Sequence, residues 1–162
     1  MSVQAHPERE AEDTRRHLLL AVDETDSARR AVMFVADFFG GYRELLVTLL
    51  SILPEPLEDL FPTAQLRQAS LEEQRRSREA VCDGYRRLLV GGGIREDLVD
   101  TRIVVRSCPS IGDAILGEQE QLRCCIVVIG RRQISRHEEF LLGSTSNRIL
   151  HRANACAVLV VE

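Results

Sequence analysis

Cys125-Ile-Val-Val-Ile129, closed by Gly130, is the stretch on which the fold turns. Its residues are apolar without alternation. A strand with one face in water alternates polar and apolar residues, whereas one covered on both faces does not. The run therefore predicts a strand in the middle of a sheet with helices on either side. Working outward, the pattern recurs in His17-Leu-Leu-Leu-Ala-Val22, Glu44 to Ile52, Thr101 to Val105 and Val158-Leu-Val-Val161.

Between these runs the period changes. Ala28, Ala31, Val32, Val35, Ala36 and Phe39 fall at helical spacing and stop at Gly40-Gly41. Asp26 and Ser27 compete to cap this helix. A loop with three prolines, Leu53 to Thr63, leads to a long helix from about Ala64 to Val90. Its middle, Glu72 to Glu79, is charged enough to require solvent, and Gly91-Gly92-Gly93 ends it. Pro109-Ser110 opens a third helix with Ile111, Ala114 and Ile115 inward. A fourth, short helix carries Ile149, Leu150 and Ala153. Five strands alternating with four helices give an α/β fold, an open parallel sheet covered on both faces. Residues 1–15 read as a polar tail and 16–162 as one domain.

Composition narrows the function. The chain has 162 residues, 44% of them apolar and 28% charged, which is ordinary for a globular domain. The longest mostly apolar run, Leu45 to Leu53, is about half of the ~18 residues a spanning helix needs. The first residues lack the apolar core of a signal peptide, so a cytoplasmic location is expected. A net charge of −4 argues against nucleic acid as a partner. All 21 basic residues are arginine, which removes every mechanism built on a lysine, from the Walker A loop to the Schiff base. Five cysteines without a C-x-x-C suggest neither a disulfide framework nor a zinc site. No nucleophile, base and orienter can be assembled, so an efficient enzyme is not expected.

Open parallel sheets bind ligands beyond the carboxyl ends of their strands, where strand order reverses. Asp23 follows the first strand and Gly130 the fourth. They flank that point if the order is 3-2-1-4-5; spacing alone leaves 2-1-3-4-5 open. Gly143-Ser144-Thr145-Ser146 begins the last helix, and a helix N-terminus offers free N–H groups and a positive dipole end to a phosphate. Arg131, Arg132, Arg136 and His137 precede it. The plainer reading is N-capping by Ser144 beside a solvated basic loop.

Gly130 to Ser144 resembles the universal stress protein signature, G-x2-G-x9-G-[ST], with Gln133 where the second glycine belongs. LLLAVDETDSARRAV resembles that family's first strand, acidic turn and helix, and the stretch from Gly143 to Val161 its last helix and strand. The resemblance covers residues 16–162 and implies the order 3-2-1-4-5. It implies ATP, with a divalent ion held through the phosphates. Asp23 and the backbone near Ile52 would meet adenine or ribose. Gly130, Arg131 and Gln133 would lie under ribose and phosphates, and Gly143, Ser144 and Thr145 would bind phosphate oxygens. A Cβ at Gln133 obstructs that path, so weak or moderate binding is expected. It also implies a homodimer through the last strand, whose apolar edge would otherwise be unpaired. The alternative is a dimeric stress-response interaction module that no longer binds nucleotide.

Overall fold

The computed structural model describes residues 16–107, 110–131 and 144–162. The tail 1–15, Cys108, Pro109, Arg132, Gln133, Arg136, His137 and Gly143 lie outside the described residues. The strands are β1 (Arg16–Ala21), β2 (Leu45–Pro54), β3 (Val99–Arg106), β4 (Ile126–Gly130) and β5 (Ala157–Val161). The helices are α1 (Asp26–Phe39), α2 (Ala64–Gly91), α3 (Ile111–Leu122) and α4 (Ser144–Arg152). All five strands are parallel in the order β3-β2-β1-β4-β5, as the resemblance implied.

The lack of alternation has the expected cause. Leu18 and Leu20 of β1 face one apolar layer with Val32 and Val35 of α1 and Tyr85 and Leu89 of α2. Leu19, between them, faces the other with Ile115 of α3 and Ile149 of α4. Two helices thus cover each face. Among the described residues no helix is long and apolar enough to cross a membrane.

Two local expectations are corrected. Thr25, not Asp26 or Ser27, caps α1, its hydroxyl accepting from the Ala28 amide. Asp23 is the reason: its carboxylate accepts from the Thr25 amide at 2.9 Å and from the Thr25 hydroxyl, which fixes Thr25 at the cap. Ile111 is exposed rather than inward, because the first turn of α3 overhangs the strand ends. Leu150 is also exposed, so Ile149 alone anchors the middle of α4 in the core.

Two glycine contacts set the height of α1. At its end, the backbones of Gly40 and Gly92 meet so closely that a Cβ on Gly40 would sit 1.9 Å from the Gly92 carbonyl oxygen. At its start, a Cβ on Gly130 would lie 2.1 Å from the Ser27 carbonyl oxygen. Only glycine allows either approach.

Candidate functional site

The order of the strands makes β1 and β4 neighbours, and their chains leave the sheet in opposite directions beyond Ala21 and Gly130. A cleft of about 830 Å³ opens there, within the range of small-molecule sites. Its inner wall is apolar, built from Val22, Leu50, Ile52 and Ile129 at the strand ends. Its outer wall carries hydroxyls from Ser27, Ser110, Ser144, Thr145 and Ser146.

Of the residues expected at a site, Asp23, Ile52, Gly130, Ser144 and Thr145 all line this cleft. Asp23 is held from two sides. Its carboxylate is engaged by Thr25, and its carbonyl accepts the Tyr85 hydroxyl at 2.9 Å. Burial and the nearby Asp23 charge both raise the Tyr85 pKa, so the phenol keeps the proton it donates. Gly130 serves packing first, since it admits the N-terminal turn of α1. Arg131 turns elsewhere. Its amide donates to the Val161 carbonyl and its guanidinium pairs with Glu162, which ties the end of β4 to that of β5. Gln133 and Gly143 lie outside the described residues.

Two arginines of the cleft were missed by the sequence reading. Arg78 of α2 belongs to the run assigned to solvent, yet its side chain is only 14% exposed and pairs with Glu24 at 2.7 Å. That contact spans 54 positions and leaves no local signal. Arg148 lies one turn into α4, four residues after Ser144, so helical spacing could have placed it over the same opening. Its guanidinium donates to both carboxylate oxygens of Asp113 at 2.7–3.1 Å, and Arg152 adds a bond at 3.0 Å. The Arg148 hydrogen bonds hold the Asp113 carboxyl below the usual aspartate range. Ser146 was named only as part of the helix start; it is buried at the cleft wall.

The arrangement joins an apolar slot, suited to a planar group, to a row of hydroxyls at a helix N-terminus, suited to an anion. Among the described residues no cluster of three His, Cys, Asp or Glu side chains could hold a metal ion.

The family model described as universal stress protein family matches residues 14–162. Among solved structures, a universal stress protein from Archaeoglobus fulgidus superposes with a TM-score of 0.67 at 18% identity, over 91% of this chain and 93% of that one. A universal stress protein in complex with cAMP has a TM-score of 0.62 at 18% identity, covering 91% and 96%. The Archaeoglobus fulgidus protein in complex with dAMP has a TM-score of 0.60 at 19% identity, covering 91% and 98%. At these identities the likeness shows the fold. A comparison with curated proteins found no significant match.

Proposed function

The chain belongs to the universal stress protein family, and from that premise we propose that it is a regulatory protein binding an adenine nucleotide, ATP, weakly or moderately in the cleft between β1 and β4. The observation that carries this reading is the convergence of Asp23, Ile52, Gly130, Ser144 and Thr145 on one opening of about 830 Å³. Two solved universal stress proteins hold cAMP and dAMP, which supports an adenine nucleotide as the ligand class.

In this reading the base lies against Val22 and Ile52, with Asp23 at its edge. The phosphates approach the first turn of α4, where Ser144 and Thr145 add hydroxyls to the free N–H groups. A divalent ion would be held through phosphate oxygens rather than by a protein cage. Gln133, in place of the second motif glycine, keeps the affinity modest. The protein acts as a homodimer. Val158 to Val161 are each half-buried on an outer strand whose free edge a second copy would pair. That edge also supports the second reading, a dimeric interaction module without nucleotide.

Calorimetry on three proteins tests the choice. Wild type should bind ATP measurably at millimolar concentration. Gln133→Gly should bind about tenfold tighter, each ~1.4 kcal/mol of relieved obstruction being a factor of ten. Gly143→Val should not bind. Absence of heat from both wild type and Gln133→Gly would sink the nucleotide reading in favour of the interaction module.

A further inference from the structure

At the end of the sheet opposite the cleft, three cysteines stand at the starts of β4 and β5: Cys124, Cys125 and Cys156. We propose that Cys125 and Cys156 form an oxidisable dithiol that closes to a disulfide across the β4–β5 seam when the protein meets a hydroperoxide.

The register brings the pair together. Ile126 is the partner of Ala157 and Val127 of Val158, and the Ala157 amide donates to the Cys125 carbonyl at 2.9 Å. One step back, Cys125 stands beside Cys156. Neighbouring strands lie about 4.8 Å apart, inside the roughly 4.4–6.8 Å between Cα atoms that a disulfide spans. Cys156 packs with Val158 and Val160 against the α3–α4 layer. Cys125 and Cys156 each stand one residue before their strand, which begins at Ile126 and at Ala157.

Cys124 is the competing partner, and its surroundings argue against it. It is buried, and burial first, with its cysteine neighbours second, pushes its thiol up to about 12. Such a thiol is a poor nucleophile. Cys125 and Cys156 are only half-buried, so a small oxidant can reach them. The Cys156 thiol is raised by burial and then by the closeness of Cys125, which suits the second, resolving role. The Cys125 thiol donates to the His17 carbonyl of β1 at 3.2 Å, on the side away from β5, so it turns about its Cα–Cβ bond to meet Cys156.

The chemistry balances. The Cys125 thiolate attacks an oxygen of the hydroperoxide; an S–O bond forms, the O–O bond breaks, and the leaving oxygen takes a proton as alcohol or water. The sulfur loses two electrons and the peroxide gains them. The Cys156 sulfur then attacks the sulfenic sulfur; an S–S bond forms, the S–O bond breaks, and the hydroxyl leaves as water with the Cys156 proton.

Hydroperoxide treatment of the full chain, followed by alkylation under denaturing conditions, should leave three of its five thiols labelled. Dithiothreitol should restore the others. Trypsin cuts after Arg123, Arg131 and Arg152, so the cross-link should join Cys124–Arg131 to Ala153–Glu162. Fragment ions between Cys124 and Cys125 assign the linked sulfur in wild type, so the result does not depend on a variant folding. Cys124→Ser should keep the cross-link; Cys125→Ser and Cys156→Ser should lose it. Labelling of all five thiols, a link through Cys124, or a link between two chains on a non-reducing gel would each overturn the proposal.

Discussion

Replacing Gly130 with alanine puts one methyl group where the structure has no room. The added Cβ would stand 2.1 Å from the Ser27 carbonyl oxygen, 2.4 Å from its carbon and 2.9 Å from the Ala28 nitrogen. Ordinary contact begins near 3.4 Å, so the first turn of α1 must retreat by about 1.3 Å. All three atoms are backbone, and no rotamer change relieves the clash. The retreat is resisted by the Thr25 cap, the Tyr85 bond to the Asp23 carbonyl and the Arg78 pair with Glu24. Overpacking costs about 1–3 kcal/mol, and a backbone-only clash belongs at about 3. For a chain of this size, ~1 kcal/mol moves the melting temperature by about 2–4 °C, so Gly130→Ala should melt about 6–12 °C lower. Gly117→Ala is the control. Its Cβ would meet nothing within 4 Å, and alanine inside α3 should gain about 0.5–1 kcal/mol. Thermal melts by far-ultraviolet circular dichroism compare the three. A Gly130→Ala melt within about 2 °C of wild type would show that α1 is not pinned by this contact.

Tyr85→Phe removes the hydroxyl from the Asp23 carbonyl and should cost about 1 kcal/mol, or ~2–4 °C in the same melts; no change would mean that water replaces the bond without loss. Asp113→Asn should matter at neutral pH and not in acid. The Asp113 pKa is lowered on folding from an ordinary 3.8, so its contribution is present above that value and is lost as pH falls through the folded one. Melts from pH 6 down to about pH 2 should show the gap to wild type closing, and a constant gap would refute the Arg148 linkage. Val160→Pro should turn the proposed dimer to monomer by light scattering: the Ala157 amide and the Val161 carbonyl both bond to the β4 side, so alternation leaves the Val160 amide on the free edge, and proline there removes a donor to a second copy. A dimer of unchanged strength would place the interface elsewhere.

What was legible in the sequence followed burial. Leu18 to Leu20 and Val127 to Ile129 read as covered strands because every residue touches one helix layer or the other. What was missed depends on partners distant in the chain. Arg78 sits in a charged run that is otherwise exposed, and only Glu24, brought over by the packing of α2 on α1, makes it part of the cleft. Gly91 to Gly93 read as a helix end. That was sound as far as it went, since Gly92 caps α2. The closer reason, a Cβ on Gly92 falling 2.6 Å from the Ala36 Cβ, needs the helix pair to be seen. Thr25 lost out to Asp26 and Ser27 because capping preferences rank residue types without knowing that Asp23 already binds Thr25.

These contacts have one effect in common. α1 is held at its far end by Gly40 and Gly92 and at its near end by Gly130, each time by backbone against backbone or a methyl group. A helix seated this low brings Ser27 down onto the end of β4 and keeps the turn from Asp23 to Thr25 beside it. Tyr85 and Arg78, both from α2, then fasten that turn from the other side. The Asp23 end of the cleft is therefore set by packing that exists before any ligand arrives. Such preorganisation reduces the ordering cost of binding. It also explains why Gly130 answers to two demands at once. The residue that a ribose would pass over is the residue that α1 needs in order to dock, so a change there tests the fold before it tests the ligand.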